Sequence, residues 1–192
     1  QNNLNTVLLD DKSNLGGITI FQDNDSFKIN NDNANKWLEK EIESLKSFKN
    51  LTIKTRSSLA AYHSYNYLLA KENLTDHLSL NEKKNKIRQR LWKIRAKKVI
   101  IATGSIERPL IFNNNDRPGI ILSSSIKKYI DYYGVKCGQK VSLFTNNDSA
   151  YETAISLSSS GVIINSVIDI RDKSNSSIVK QAEKLGIKIH CK

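Results

Sequence analysis

The second half of the chain alternates apolar runs with amphipathic stretches, and this alternation constrains the fold more than any other feature. The spacing predicts three strands and the two helices between them, at 140–144, 149–160, 162–168, 176–185 and 187–191. A glycine follows each helix, Gly161 and Gly186, and glycine commonly ends helices. Strands and helices that alternate in this way predict parallel strands joined by right-handed crossovers. We therefore expect an α/β fold with a doubly wound parallel sheet, preceded by a helix at 123–133.

The first half opens with the apolar run 6–10, which is typical of a buried parallel strand. A helix is expected at 34–49, with its N-cap at Asp32 or Asn33, and a second strand at 51–56. Residues 57–98 carry short β-prone runs around a polar insertion at 71–88, which predicts an antiparallel β-meander. A fully buried strand at 98–103 is expected to follow.

Asp10 is the first candidate for cofactor binding. A carboxylate at the end of this strand in a dinucleotide-binding fold accepts hydrogen bonds from the adenosine ribose hydroxyls, and it disfavours a 2′-phosphate. Asp10 and Asp11 could simply begin a turn. Gly16 and Gly17 follow shortly after, however, and favour a backbone that passes close to a ligand.

The second candidate is the tripeptide Ala102-Thr103-Gly104. A small residue, a hydroxyl and a glycine at the end of a buried strand let the chain turn tightly beside a dinucleotide. The tripeptide is common, but its position after a meander and downstream of Asp10 makes it more specific. The glycine-rich phosphate loop usually lies about 20 residues before the acid, which places it before Gln1. The chain contains no Met, so we expect a segment truncated at both ends.

These elements predict two Rossmann-like halves of an FAD/NAD(P)-binding fold. Residues 1–110 would be the C-terminal part of the first half, with the NAD site and the meander, and residues 111–192 an incomplete second half. The corresponding turn of the second half, 145–151, has no glycine, and Asp148 would repel a diphosphate. We therefore expect the second half to keep the fold without an ordinary dinucleotide phosphate site.

Several segments resemble the alpha subunits of heterotetrameric sarcosine oxidases, which are flavoproteins with two dinucleotide-binding domains. The similar segments are 62–67, 74–78, 88–96, 102–110, 115–119 and 144–151. Ile-Glu-Arg-Pro at 106–109 and Asn-Asn-Asp-Ser-Ala-Tyr at 146–151 are the most specific. The resemblance spans nearly the whole chain and identifies it with a middle segment of a longer subunit.

The resemblance implies a complex that oxidatively demethylates sarcosine to glycine and passes the one-carbon unit to tetrahydrofolate. In such a complex NAD binds to the alpha subunit, FAD to the beta subunit and FMN near the alpha–beta contact, while zinc lies on the delta subunit and a gamma subunit completes the heterotetramer. By position, the resemblance implies that Asp10, Asp11 and Lys12 surround the adenosine ribose. It implies that Ile18 and Leu59 line the adenine side, Leu59 largely through its backbone. The cofactor-binding residues implied or derived are Asp10, Asp11, Lys12, Gly17, Ile18, Leu59, Ala102, Thr103 and Gly104.

No residue in the segment is required as an acid, base or nucleophile, so we expect no catalytic residue and no sarcosine turnover by the segment alone. Asp76 and His77 are adjacent, and adjacent strand residues point to opposite faces, which disfavours a dyad. Neither the two cysteines nor the three histidines have the spacing of metal ligands or of a redox dithiol, so no metal is expected.

The net charge of +11 raises a different class of function, a basic nucleic-acid-binding module. The basic residues are spread along the chain and no nucleic-acid motif accompanies them, which favours a solvated surface and no nucleic-acid partner. A subunit of a related amine, opine or proline dehydrogenase is the alternative among enzymes, because fold alone cannot separate them. Sparse cysteine and the lack of an apolar run near 18 residues indicate a cytoplasmic protein without a membrane span.

Overall fold

The computed structural model describes residues 4–21, 28–172 and 174–192. The chain divides into two compact units, Gln1–Thr103 and Gly104–Lys192, called here the first unit and the second unit. Each unit is built around its own parallel strand pairing. The mixed α/β class expected from the sequence is confirmed, while the doubly wound arrangement stays a prediction.

The first unit begins with a parallel pair of strands around one helix. Its elements in chain order are β1 (Thr6–Leu9), a short hairpin of β2 (Lys28–Ile29) and β3 (Asp32–Asn33), α1 (Ala34–Lys46) and β4 (Leu51–Lys54). β1 pairs in parallel with β4, with Thr6 opposite Leu51. The predicted strand is therefore confirmed, although it is less buried than expected, since Val7 is 49% exposed.

Helix α1 begins where the sequence predicts, because its first backbone N–H groups find a side-chain acceptor. The Asn33 side chain accepts hydrogen bonds from the N–H groups of Asn35 and Lys36, at 3.1 and 3.3 Å. Leu38 and Ile42 on the apolar stripe are half-buried. The helix ends at Lys46, three residues before the predicted end at residue 49.

The predicted antiparallel meander is confirmed. It consists of β5 (Ser57–His63), β6 (Tyr67–Asn73) and β7 (Gln89–Arg95), with β6 in the centre. The polar insertion between β6 and β7 carries a short helix, α2 (Leu80–Lys83). The buried side chains of β6 alternate along the strand, so that one face of the meander is covered and the other is open.

The predicted buried strand at 98–103 is wrong. The segment is irregular, and Ile100 and Ile101 are 91% and 67% exposed. In the part of the chain that the structure describes, no backbone–backbone hydrogen bond joins this segment to a strand. Apolar β-branched residues favour an extended chain, but a buried strand also needs a neighbouring strand on which to pair. The apolar pattern indicated the first property and not the second.

The second unit has the alternation that the sequence predicts. Its elements are α3 (Ser123–Asp131), β8 (Lys140–Thr145), α4 (Ser149–Ser159), β9 (Ile163–Asp169), α5 (Ser177–Lys184) and β10 (Ile189–His190). The strands form a parallel sheet in the order β10-β9-β8. β10 is shorter than the predicted 187–191, although Ile187 is buried before it. No helix in the described ranges is long and apolar enough to cross a membrane.

The core of the second unit lies between its helices and its sheet. Leu143 of β8 and Val167 of β9 pack with Ala154 of α4 and Val179 of α5. A neighbouring cluster joins α3 to α4 around Leu157, which is 1% exposed. The apolar residues of the strands and helices therefore meet as the sequence pattern requires.

Replacing Leu157 by alanine should lower the free energy of unfolding by about 2–5 kcal/mol, because it removes a fully buried side chain and leaves a cavity. The matched control is Leu185→Ala, since Leu185 is 52% exposed, and it should change stability by less than about 0.5 kcal/mol. Urea unfolding followed by circular dichroism measures both. Equal effects of the two substitutions would contradict the described core.

Candidate dinucleotide site

Asp10 directly follows β1 and is held by backbone hydrogen bonds on both sides. Its N–H donates to the carbonyl of Lys54 at the end of β4 (3.0 Å), and its own carbonyl accepts the N–H of Ser57 at the start of β5 (2.8 Å). Its Oδ1 accepts the backbone N–H of Lys12 at 2.8 Å. Among the described residues no other hydrogen bond reaches this carboxylate, so Oδ2 is available to a ligand. The carboxylate therefore has a fixed position and an unused acceptor.

Asp11 and Lys12 form an ion pair beside this carboxylate. The distance from Lys12 Nζ to Asp11 Oδ2 is 2.6 Å, and the two side chains are 46% and 58% exposed. The Lys12 carbonyl accepts the N–H of Arg56 at 2.8 Å, which fixes the backbone of the turn. Arg56 adopts a left-handed backbone conformation, with φ of 51°, to make this contact.

The glycines after this turn have different roles. Gly16 has φ of +129°, and a Cβ there would lie 2.5 Å from Leu38 Cδ2 of α1. Packing within the protein and the positive φ therefore both favour glycine at this position. Gly17, with φ of +55°, faces open space, and Ile18 beside it is 71% exposed. Contact of Gly17 and Ile18 with a cofactor stays a prediction.

The structure brings some of the predicted site residues together. Leu59 lies on β5 two residues after Ser57, which is hydrogen-bonded to Asp10, and it is 45% exposed at a β-bulge. Asp10, Asp11, Lys12 and Leu59 therefore share one region of the first unit. Their contact with a cofactor remains untested.

Ala102, Thr103 and Gly104 are not tied to this region. All three are exposed, and no hydrogen bond joins them to Asp10 within the described ranges. Gly104 has φ of +68°, which glycine adopts easily. Their predicted role beside a dinucleotide remains a prediction.

The sequence analysis did not predict a charged cluster beside the Asp10 region, formed by Glu72, Lys54, Arg90 and Trp92. Glu72 of β6, whose side chain is 11% exposed, accepts the indole N–H of Trp92 at 2.6 Å. The Nζ of Lys54 lies 3.6 Å from Glu72 Oε1 and 4.6 Å from the centre of the Trp92 ring. Arg90 approaches Glu72 Oε2 at 3.7 Å. Lys54 thereby links the meander to the strand end that holds Asp10.

The register of the meander is the signal that could have found this cluster. Ala70 lies opposite Trp92, and Glu72 lies opposite Arg90. Directly opposed residues on antiparallel strands share a face, so a correct register places the tryptophan and the arginine beside the acid. Register depends on pairing between distant segments, which the composition of each strand does not specify.

At the carboxyl end of β8, side chains close a turn that has no glycine. Thr145 Oγ1 accepts the N–H of Asn147 at 3.1 Å and donates to the Asn147 carbonyl at 2.9 Å. The Asn147 side-chain oxygen in turn accepts the N–H and the hydroxyl of Ser149, at 3.0 and 2.6 Å. Threonine and asparagine side chains thus supply the local hydrogen bonds that order this turn.

Arg171 occupies the space between the carboxylates at the ends of β8 and β9. Its Nε and Nη2 donate to the two oxygens of Asp169 at 3.0 and 2.7 Å, and Nη2 also donates to Asp148 Oδ1 at 2.7 Å. The Tyr151 hydroxyl donates to Asp169 Oδ2 at 2.9 Å, and the Asp169 side chain is only 1% exposed. Asp148, whose charge the sequence analysis expected to repel a diphosphate, is therefore paired with a cation.

This network changes the acidity of its members. Hydrogen bonds from Arg171 hold the pKa of both Asp148 and Asp169 below the usual aspartate range. Burial, followed by the hydrogen bond to Asp169, raises the pKa of Tyr151 above its ordinary value. At neutral pH the network thus contains two carboxylates, one guanidinium and a neutral phenol.

Asp76 and His77 do not form a dyad. Asp76 accepts a hydrogen bond from Arg88 Nε at 2.6 Å, and this hydrogen bond lowers the pKa of Asp76. In the described part of the chain, no group of three or more His, Cys, Asp or Glu side chains could hold a metal ion.

The chain is similar in sequence to several known proteins. No protein-family model matches the chain. Residues covering 95% of the chain match sarcosine oxidase subunit alpha from Corynebacterium sp. strain U-96, at 34% identity over 183 residues. The corresponding subunits of Corynebacterium sp. strain P-1 and Rhizobium meliloti strain 1021 are 33% and 29% identical. The chain is similar to part of the sarcosine oxidase alpha subunit.

This similarity confirms the resemblance stated from the sequence motifs. The chain spans less than a fifth of the length of these alpha subunits, 18% in the two Corynebacterium proteins. The crystal structure of L-proline dehydrogenase from P. horikoshii matches 89% of this chain with a TM-score of 0.64, and the match covers 32% of that protein. At 23% identity the likeness shows a shared fold.

The ion network of the second unit should make stability depend on pH at the acid end. The folded-state pKa values of Asp148 and Asp169 lie below the unfolded value of about 3.9. The network therefore makes its full contribution to the free energy of unfolding at pH values above the unfolded pKa. Its contribution is lost as the pH falls through the lowered folded values. Arg171→Gln should therefore lower the free energy of unfolding by about 1–3 kcal/mol at pH 7, and by progressively less below pH 4.

Urea unfolding of the wild type and Arg171→Gln at several pH values tests this prediction. Arg108→Gln is the matched control, because Arg108 is exposed and makes no ion pair in the described ranges. That control should differ little from the wild type at any pH. A stability loss in Arg171→Gln that stays constant from pH 7 to pH 2 would refute the proposed electrostatic origin.

Proposed function

We propose that the first unit binds the adenosine end of NAD, within a flavin-dependent oxidoreductase of the sarcosine oxidase type. The observation that carries the proposal is the Asp10 carboxylate, fixed at the end of a parallel strand, with one oxygen that accepts no hydrogen bond from the described residues. A carboxylate in this position accepts hydrogen bonds from the ribose hydroxyls of a dinucleotide. The similarity to sarcosine oxidase alpha subunits supports the enzyme class.

Three further residues, implied by the resemblance or predicted from the sequence, would contact the rest of adenosine. Leu59 and Ile18 present exposed apolar side chains, and apolar side chains favour contact with a flat base. Gly17 offers a backbone with no side chain in the way. Asp11 and Lys12 would flank the ribose.

The chemistry of the whole protein is proposed from its relatives. We expect oxidative demethylation of sarcosine to glycine, with transfer of the one-carbon unit to tetrahydrofolate. The complex would contain beta, gamma and delta subunits and would carry FAD and FMN in the cytoplasm. This segment would contribute nucleotide binding and no catalytic residue.

Replacing Asp10 by asparagine tests the NAD site, because the amide keeps the size of the side chain and can still accept from Lys12. A charge-assisted hydrogen bond contributes about 1.5–3 kcal/mol, so NAD affinity should fall about 10- to 100-fold. Isothermal titration calorimetry on the protein at its natural length measures the change. Asp32→Asn is the matched control, because Asp32 makes an exposed ion pair with Lys40 elsewhere in the first unit. Equal NAD affinity in wild type and Asp10→Asn would remove Asp10 from the site.

The substrate prediction separates sarcosine oxidation from the related activity on proline. The complete complex should consume oxygen with sarcosine and much more slowly with L-proline, while residues 1–192 with added FAD should turn over neither. An oxygen electrode makes the measurement. Turnover of proline in preference to sarcosine would support the alternative amine dehydrogenase. Salt-sensitive binding of duplex DNA, with no NAD binding, would support the nucleic-acid alternative.

A further inference from the structure

We infer that the Asp11–Lys12 ion pair makes the Asp10 site select NAD over NADP, with Asp11 as the specificity-determining residue. The inference rests on the proposed NAD site. Asp10 alone repels a 2′-phosphate, but the adjacent Lys12 ammonium could offset that repulsion. Asp11 prevents this by holding the ammonium.

The geometry of the turn limits where Lys12 can reach. Its backbone N–H donates to Asp10 Oδ1, and its carbonyl accepts from Arg56, both at 2.8 Å. The base of the side chain is thus fixed next to the Asp10 carboxylate, and only the side-chain torsions can move the ammonium. In the structure those torsions place Nζ 2.6 Å from Asp11 Oδ2.

The balance of charge follows from these contacts. Asp10, Asp11 and Lys12 together carry a net charge of −1, since the two carboxylates outnumber the single ammonium. A 2′-phosphate brings about −1.5 to −2 to the same place, so the local charge opposes it. With Asp11 neutral, the net charge of the turn becomes zero and the ammonium is released toward the phosphate.

Other cations near the turn do not account for a change in NADP affinity when Asp11 is neutralised. Lys54 is directed to Glu72 and to the ring of Trp92. Arg56 makes no ion pair in the described ranges, so its attraction for a phosphate is the same whether residue 11 is charged or neutral. A gain in NADP affinity on neutralising Asp11 that requires Lys12 to be present therefore reports on the Lys12 ammonium.

The test is a titration of NAD and NADP, by calorimetry, into the natural-length protein and its variants. Because exposed ion pairs contribute modestly, Asp11→Asn should raise NADP affinity relative to NAD by about 3- to 10-fold. Asp11→Glu, which keeps the charge, should retain most of the wild-type preference. In a Lys12→Met background Asp11→Asn should give no such gain, so the double variant should match Lys12→Met, because the released ammonium is absent from both.

The matched control is Asp32→Asn, which breaks the exposed Asp32–Lys40 pair, 3.3 Å long, with the same change of charge in the same unit. It should leave the ratio of NADP to NAD affinity as in the wild type. An unchanged ratio in Asp11→Asn, or a gain that persists in the double variant over Lys12→Met, overturns the inference while NAD binding still stands. A wild-type protein that binds neither dinucleotide overturns the proposed function together with the inference.

Discussion

The first unit depends on the backbone hydrogen bonds at the carboxyl end of β1. They tie Asp10 to the end of β4 through Lys54 and to the start of β5 through Ser57. The parallel pair and the meander therefore meet at one residue. Because Lys54 also contacts Glu72 and Trp92, the side chains of the meander brace the same junction. A carboxylate held in this way loses little conformational freedom when a ligand binds.

The aspartate at the carboxyl end of a parallel strand has different surroundings in the two units. Asp10 and Asp169 each stand at the carboxyl end of a parallel strand. Asp169 is buried and saturated by Arg171 and Tyr151, so that the protein itself satisfies the acceptors. Asp10 is partly exposed, and its carboxylate receives a single hydrogen bond in the described part of the chain. The same strand-end geometry thus stabilises the fold in one unit and leaves an acceptor open in the other.

Local patterns predicted most of the elements, because amphipathic periodicity, caps and glycines lie within a few residues of one another. Asn33 at the start of α1 and Gly161 after α4 are examples. Features that depend on pairing between distant segments were not predictable. The strand expected at 98–103 needs a partner strand, Glu72 needs the register of β7, and Arg171 reaches an aspartate 23 residues away. Gly16 is a third case, because the Leu38 side chain that a Cβ there would meet belongs to α1, far along the chain.

The isoleucines after the meander affect how this polypeptide behaves in solution. Ile100, Ile106 and Ile111 are each more than 90% exposed, and residues 98–110 make no backbone hydrogen bonds to a strand in the described ranges. β-branched residues on an unpaired backbone favour β-sheet formation between chains. This stretch therefore offers an unpaired, apolar backbone segment to a second chain of residues 1–192. The net charge of +11 opposes that association at low ionic strength and loses its effect as salt screens it.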